Sequence, residues 1–211
     1  MTVIIDYGVG NLFSLSSSLE YIGEAEKVSG DPEEIRRADR IILPGVGAFG
    51  DAAAKLKETG LDRVIVEEAK AGKPLLGICL GMQLLFLRSY EFGEHAGLGL
   101  IPGSVRPIKE VVGEELKVPQ IGWNRLFFPE DKPKSRLYRY TREGEFVYFV
   151  HSYHGADCKE YISAYTEYGA PLTASVENAA GNVFGTQYHP EKSGRVGLGI
   201  LRAFCEIGGR Q

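Results

Sequence analysis

Lys73-Pro74-Leu75-Leu76-Gly77-Ile78-Cys79-Leu80-Gly81-Met82-Gln83-Leu84 is the stretch on which the fold turns. Residues 73–78 read as an apolar strand of the kind buried at the centre of a parallel sheet. Residues 79–89 then read as a helix, with Leu80, Leu84 and Leu87 on one face. An apolar strand that turns abruptly into a helix is the unit of an α/β layer architecture. The same rhythm runs upstream. Residues 2–6, 25–28 and 40–43 are strand-like, and Leu12, Leu15, Leu19 and Ile22 recur at helical spacing. Asp31-Pro32-Glu33-Glu34 opens a further helix, with Asp31 as cap and Glu34 completing a capping box. Residues 52–59 and 62–71 are helical. Downstream the texture changes to short β-rich runs at 104–119, 121–128, 146–150, 161–167, 172–176 and 182–187, before an amphipathic helix over 194–207. The expectation is an open, mostly parallel sheet flanked by helices on both faces, with a β-rich second half. With no linker or repeat in view, residues 1–211 read as one domain.

Composition narrows the function. With 24 basic and 28 acidic residues the formal net charge is -4, which gives no reason to expect nucleic acid or an anionic membrane as partner. The apolar stretch from Pro74 to Leu87 is interrupted by Gly77, Gly81 and Gln83 and is too short to span a bilayer. Met1-Thr2-Val3-Ile4-Ile5-Asp6 does not read as a signal peptide. Three cysteines are too few for a disulfide scaffold and suit a reducing, cytoplasmic setting. No C-x-x-C, H-E-x-x-H or calcium-loop spacing occurs, so neither metal nor cofactor is expected. Glycine is the unusual count: 27 of 211 residues, against an average of roughly 7%.

Gly77-Ile78-Cys79-Leu80-Gly81 has the G-x-C-x-G form of a nucleophile elbow built on cysteine. The glycines leave room for a tight turn that lifts the Cys79 side chain above the sheet. The helix start behind it presents free N–H groups and a positive dipole, surroundings that suit a thiolate. A small buried hydrophobe would be the plainer reading of Cys79 taken alone. Cys158 and Cys205 have no such setting. Of the four histidines, His189 follows a strand and precedes Pro190, so it should be extended, with Glu191 projecting to the same side as its orienting acid. His151 and His154 could line the same cleft, whereas His95 in a glycine-flanked loop reads as structural. Oxyanion donors are expected at the Leu80 N–H and at Gly45-Val46-Gly47, where a strand ends. That glycine turn could instead cradle a phosphate.

Five fragments in order carry a resemblance: Pro44-Gly45-Val46-Gly47-Ala48-Phe49, Gly77-Ile78-Cys79-Leu80-Gly81-Met82-Gln83, Gly122-Trp123-Asn124, Tyr148-Phe149-Val150-His151-Ser152-Tyr153 and Gln187-Tyr188-His189-Pro190-Glu191-Lys192-Ser193. The chain resembles the class I, triad-type glutamine amidotransferases over nearly its whole length. Within them it is most similar to the glutaminases that feed ammonia to a (β/α)8-barrel cyclase in histidine biosynthesis. The resemblance implies a Cys79-His189-Glu191 triad acting on L-glutamine, with Gly45, Val46, Gly47 and Leu80 at the oxyanion. It implies Gln83 and the backbone of Ser152 and Tyr153 as contacts to the amino-acid end of the substrate. It also turns Asn11, Trp123, Asn124 and Lys192 toward the cyclase subunit, although a lone tryptophan in a β-rich segment is as often core. The glycines on either side of Val46 would let a peptide reorient at low steric cost, so control by the partner is expected there. Two other classes remain: a cysteine hydrolase of peptides or esters on the same elbow, and a binding subunit that kept only the fold.

Overall fold

A computed structural model describes residues 1–208 of the chain. The first half runs β1 (Thr2–Ile5), α1 (Leu12–Tyr21), β2 (Glu26–Ser29), α2 (Pro32–Arg37) and β3 (Arg40–Leu43). It continues through α3 (Phe49–Thr59), α4 (Leu61–Lys70), β4 (Leu75–Ile78) and α5 (Leu80–Leu84). The second half supplies β5 (Phe86–Ser89), β6 (His95–Ala96), β7 (Ile101–Pro107), β8 (Gln120–Arg125), β9 (Phe146–His151) and β10 (Tyr153–Ala156). Then come β11 (Ile162–Glu167), β12 (Pro171–Glu177), β13 (Val183–Thr186) and α6 (Gly194–Cys205).

The main sheet has seven strands in the order β11-β12-β13-β4-β3-β1-β2. Strands β13, β4, β3, β1 and β2 pair in parallel, whereas β12 and β11 extend the sheet antiparallel. Parallel strands buried on both faces should be apolar at every position, and β1, β3, β4 and β13 are buried throughout. Alternation then sorts their side chains. Val3, Ile5, Ile41, Leu43 and Leu75 pack with Ile35, Leu56 and Ile65 of α2, α3 and α4 on one face. Ile4, Ile42, Leu76 and Ile78 pack with Leu15 and Leu19 of α1 and Ile200, Leu201 and Phe204 of α6 on the other. The mostly parallel sheet with helices on both faces is as the sequence predicts.

Two smaller layers complete the β-rich half: a four-stranded sheet ordered β10-β7-β5-β6, and a two-stranded ribbon of β8 and β9. Several boundaries differ from the sequence reading. The predicted helix over 79–89 stops at Leu84, and the chain returns as β5 to pair with β7 and β6, leaving Leu87 exposed. Non-local pairing there overrides a locally helical spacing. Residues 104–119 are not one long strand, since β7 ends at Pro107 and a 3-10 turn follows. Asp31 caps α2 through Glu33 N–H at 2.8 Å, but Glu34 turns to Lys27 instead of closing a capping box. Among the described residues, no helix is long and apolar enough to cross a membrane.

Candidate active site

Three neighbouring strands deliver the site from their C-terminal ends, where open α/β sheets place their ligands. Leu43 of β3 pairs with Gly77 of β4, and Ile78 of β4 with Thr186 of β13. The segments that follow, Pro44-Gly45-Val46-Gly47, Cys79 and Gln187-Tyr188-His189, therefore emerge side by side.

Cys79 takes φ 55° and ψ -110°, a left-handed conformation that costs an L side chain on the order of 1–3 kcal/mol. The surroundings fix it. Its N–H donates to the Thr186 carbonyl at 2.7 Å, and its carbonyl accepts from Gln83 N–H at 3.2 Å. The flanking glycines are required by close approach, as the elbow reading expects. A Cβ on Gly81 would stand 1.9 Å from the Leu43 carbonyl oxygen, and one on Gly77 would stand 2.6 Å from the Gly81 carbonyl oxygen.

His189 is extended, with φ -97° and ψ 101°, and buried. Its N–H donates to the Tyr148 carbonyl at 3.0 Å, which ties the arm to β9. Nδ1 lies 2.8 Å from Glu191 Oε1, both side chains being buried, and the Cys79 thiol stands near enough to raise the ring's proton affinity. Burial works against the imidazolium. The contacts with Cys79 and Glu191 outweigh it and raise His189 to about 9. The imidazolium is thus favoured, so the ring can take the Cys79 thiol proton and hold it for a leaving group.

The cleft over Cys79 has a volume of about 490 Å³ and is walled by Val46, Gly47, Leu80 and Gln83 together with Ser152 and Tyr153. All the sequence-predicted substrate and oxyanion residues except Gly45 line it. Gly45 is buried beneath, where an added Cβ would meet the Tyr7 hydroxyl at 2.9 Å and Gly81 N at 3.0 Å. Gln83 Nε2 donates to the Tyr153 carbonyl at 3.2 Å and to Gln187 Oε1 at 3.1 Å. Both its protons are used, so only the acceptor Oε1 is left for a substrate, and that suits an ammonium group.

His151 and His95 are engaged with other partners. His151 lines the cleft, but Nδ1 is 2.7 Å from the Tyr153 carbonyl and Nε2 is 2.9 Å from Gln120 Oε1. Burial pushes this ring down to about 4, with the Tyr153 carbonyl opposing. His95 packs against Phe49, ring centroids 6.4 Å apart, and fills the space under Gly50. Cys158 and Cys205 are also buried, and burial raises their thiols to about 11 and about 12.

Around the cleft, Lys192 is exposed beside the triad, and the Asn11 side chain accepts from Ser14 N–H at the start of α1. Trp123 and Asn124 point to opposite faces of the β8–β9 ribbon. Trp123 is 51% exposed, which removes the core reading. The Asn124 amide is bound inward, accepting from Gln120 Nε2 at 2.9 Å and donating to the Glu167 carbonyl at 3.2 Å. Three further residues escape sequence reasoning. Glu91, past β5, lines the cleft while accepting from Phe49 N–H at the start of α3, at 2.5 Å. Tyr7, past β1, donates to the Pro44 carbonyl at 2.9 Å, and burial, then Cys79, raise its hydroxyl well above the usual range. Gln187 reaches the Cys79 sulfur. No motif spacing announces the first two, because their partners lie 42 and 37 residues away.

The sheet, the strained cysteine and the His–Glu pair define a triad-type amidotransferase, and the family model "Glutamine amidotransferase class-I" matches residues 3–206. The chain belongs to the class I glutamine amidotransferases. It is 49% identical to the imidazole glycerol phosphate synthase subunit HisH of Wolinella succinogenes, over 99% of this chain and 100% of that one. It is 51% identical to the protein of that name from Methanosarcina mazei, over 97% and 98%. Among solved structures, PurLQS from Thermotoga maritima superposes with a TM-score of 0.75 at 21% identity, covering 96% of each chain. A crystal structure of another glutamine amidotransferase superposes with a TM-score of 0.74 at 18% identity, covering 99% of each chain.

Proposed function

We propose that the chain is the glutaminase subunit of imidazole glycerol phosphate synthase, hydrolysing L-glutamine and passing ammonia to a (β/α)8-barrel cyclase subunit in the cytoplasm. One observation carries the reading: Cys79, His189 and Glu191 converge in a chain alignable end to end with relatives of that name. Cys79 Sγ attacks the side-chain carbonyl carbon of glutamine, and the developing oxyanion is met by the Leu80 N–H and an N–H of the Gly45-Val46-Gly47 strand. As the C–N bond breaks, His189 protonates the nitrogen and ammonia leaves, with a γ-glutamyl thioester remaining on Cys79. His189 then takes a proton from water, which attacks the thioester carbon and releases glutamate. Glu191 fixes the ring and stabilises its charged form throughout.

A partner is supported by the ribbon's inverted pattern. On β8 the polar Gln120 and Asn124 face inward, while Ile121 and Trp123 are 61% and 51% exposed. Across the ladder stand Val150, Tyr148 and the exposed Phe146, and Phe13 of α1 is also bare. An apolar strip of this kind marks a protein interface. The turn that carries Glu191 and Lys192 packs against both α1 and β9, so the strip borders the triad. The decisive assay pairs Cys79→Ala with the cyclase. Glutamine-dependent synthesis should fall to background while synthesis from added ammonia persists, and residual glutamate production would remove the assignment.

A further inference from the structure

The mechanism brings His189 to bear on the Cys79 sulfur and leaves a second group there unused. Gln187, the first residue past β13, is completely buried, and its Nε2 lies 3.8 Å from Cys79 Sγ, within reach of an N–H···S hydrogen bond. The direction of that contact follows from its neighbours. The Tyr153 carbonyl can only accept, so the Gln83 atom 3.2 Å from it is Nε2. The same Nε2 stands 3.1 Å from the Gln187 amide, which must therefore present Oε1 to it. What remains of that amide, the NH2, is aimed at the sulfur.

We infer that Gln187 is a further catalytic residue: a buried neutral donor that holds the charge on the Cys79 sulfur, aimed by Gln83 and the Tyr153 carbonyl. The inference rests on the glutaminase reading of Cys79. The thiol proton goes to His189, and the Gln187 N–H donates to the sulfur lone pair that it leaves. When the S–C bond forms, that charge moves to the substrate oxygen and the donation weakens. Gln187 therefore favours the reactive form before attack and does not act on the oxyanion. A donor of this kind has two opposed effects. It enlarges the thiolate fraction, and it lowers the nucleophilicity of each thiolate by a little under half as much on a logarithmic scale.

Alkylation by iodoacetamide, followed across pH on the full chain, separates this role from packing. The charged and titratable groups facing the sulfur or its cleft are Tyr7 beyond β1, Glu91 beyond β5, His151 at the end of β9, Tyr153 at the start of β10, and His189 with Glu191 beyond β13. All stay in place in the variants. Gln187→Met removes the donor at similar length. The alkylation midpoint should rise by about one pH unit, the weight of one hydrogen bond to a charged group. The rate should fall about threefold on the acid side and rise about threefold on the alkaline plateau. Gln187→Glu keeps an acceptor for Gln83 and sets a carboxylate beside the sulfur, so its midpoint should rise further. It also serves as the second arm if the methionine variant folds poorly, with thermal midpoints recorded for both. Midpoints within about 0.2 of the parent in a folded variant overturn the inference, as does a uniform loss of rate at all pH values. If Cys79 of the unaltered chain reacts no faster than Cys158 and Cys205, the glutaminase reading itself fails, and the inference with it.

Discussion

Strands β4 and β13 lie side by side in parallel at the centre of the sheet, yet they deliver their residues to the cleft by different means. β4 ends in backbone strain: Cys79 is left-handed, and Gly77 and Gly81 are glycines because backbone oxygens occupy the space of their side chains. β13 runs on extended, and hydrogen bonds and packing alone hold Gln187 and His189. A position set by close backbone approach should fail abruptly when altered, whereas one set by hydrogen bonds and packing should lose function by degrees.

The sharpest test substitutes one glycine from each strand's surroundings. Gly81→Ala drives a methyl into the Leu43 carbonyl oxygen at 1.9 Å, which no rotamer relieves. Glutaminase activity should be lost by more than about 1,000-fold, with a thermal midpoint lower by about 10 °C. Gly185→Ala on β13 instead meets side chains alone, Met82 Cγ at 2.6 Å with Met82 Cβ and Val176 Cγ2 at 3.0 Å, which can shift where a carbonyl cannot. Its loss should be about 1–2 kcal/mol with activity within tenfold of the parent. Similar damage from the two would erase the distinction between the strands.

The difference also explains what the sequence disclosed. The β4 elbow was legible because steric necessity writes itself locally, as glycines two residues to either side of Cys79 after an apolar run. β1 and β3 were legible for a related reason, since burial on both faces demands continuous apolar residues. The run through Leu80, Leu84 and Leu87 misled because the choice between helix and strand past Leu84 is made by β7, residues away in the chain. Gln187 sat inside a recognised motif without a role, for its partner Gln83 is 104 residues distant. Trp123 was ambiguous for the opposite reason: an aromatic on a ribbon is core or surface according to which face the neighbouring layers cover, and sequence alternation alone does not decide that.

A smaller effect probes the β13 arm itself. Glu191→Gln keeps the shape and removes the charge that helps hold a proton on His189. With His189 raised from 6.5 to about 9, its contribution to stability is complete below pH 6.5 and is lost as pH climbs toward about 9. The variant should therefore lose less stability than the parent between pH 6.5 and 9, as read from thermal midpoints. Its kcat should fall on the order of 100-fold with KM for glutamine little changed. An alkaline loss identical to the parent's would show that Glu191 does not support the imidazolium, and that the arm is positioned by packing alone.

The smallest expected effect on the chain itself lies on the β8–β9 ribbon, which carries neither strain nor catalytic groups on its outer face. Trp123 is half exposed and meets Tyr148 edge-on, with ring centroids 6.0 Å apart, so little of its surface is held by this chain. Trp123→Ala should shift the thermal midpoint of the free subunit by less than about 2 °C, the scale of an exposed substitution. The cost should appear only on assembly. A large aromatic at the centre of an interface contributes about 2 kcal/mol or more, so affinity for the cyclase should fall roughly 30-fold by titration calorimetry. Ile121→Ala, its exposed neighbour, should weaken assembly less, because an aliphatic side chain supplies a smaller anchor. A thermal midpoint that drops by about 5 °C or more on loss of the indole would mean that the ribbon depends on Trp123 for its own packing. The strip would then stop being a docking face waiting for a partner and become an incompletely covered part of the core.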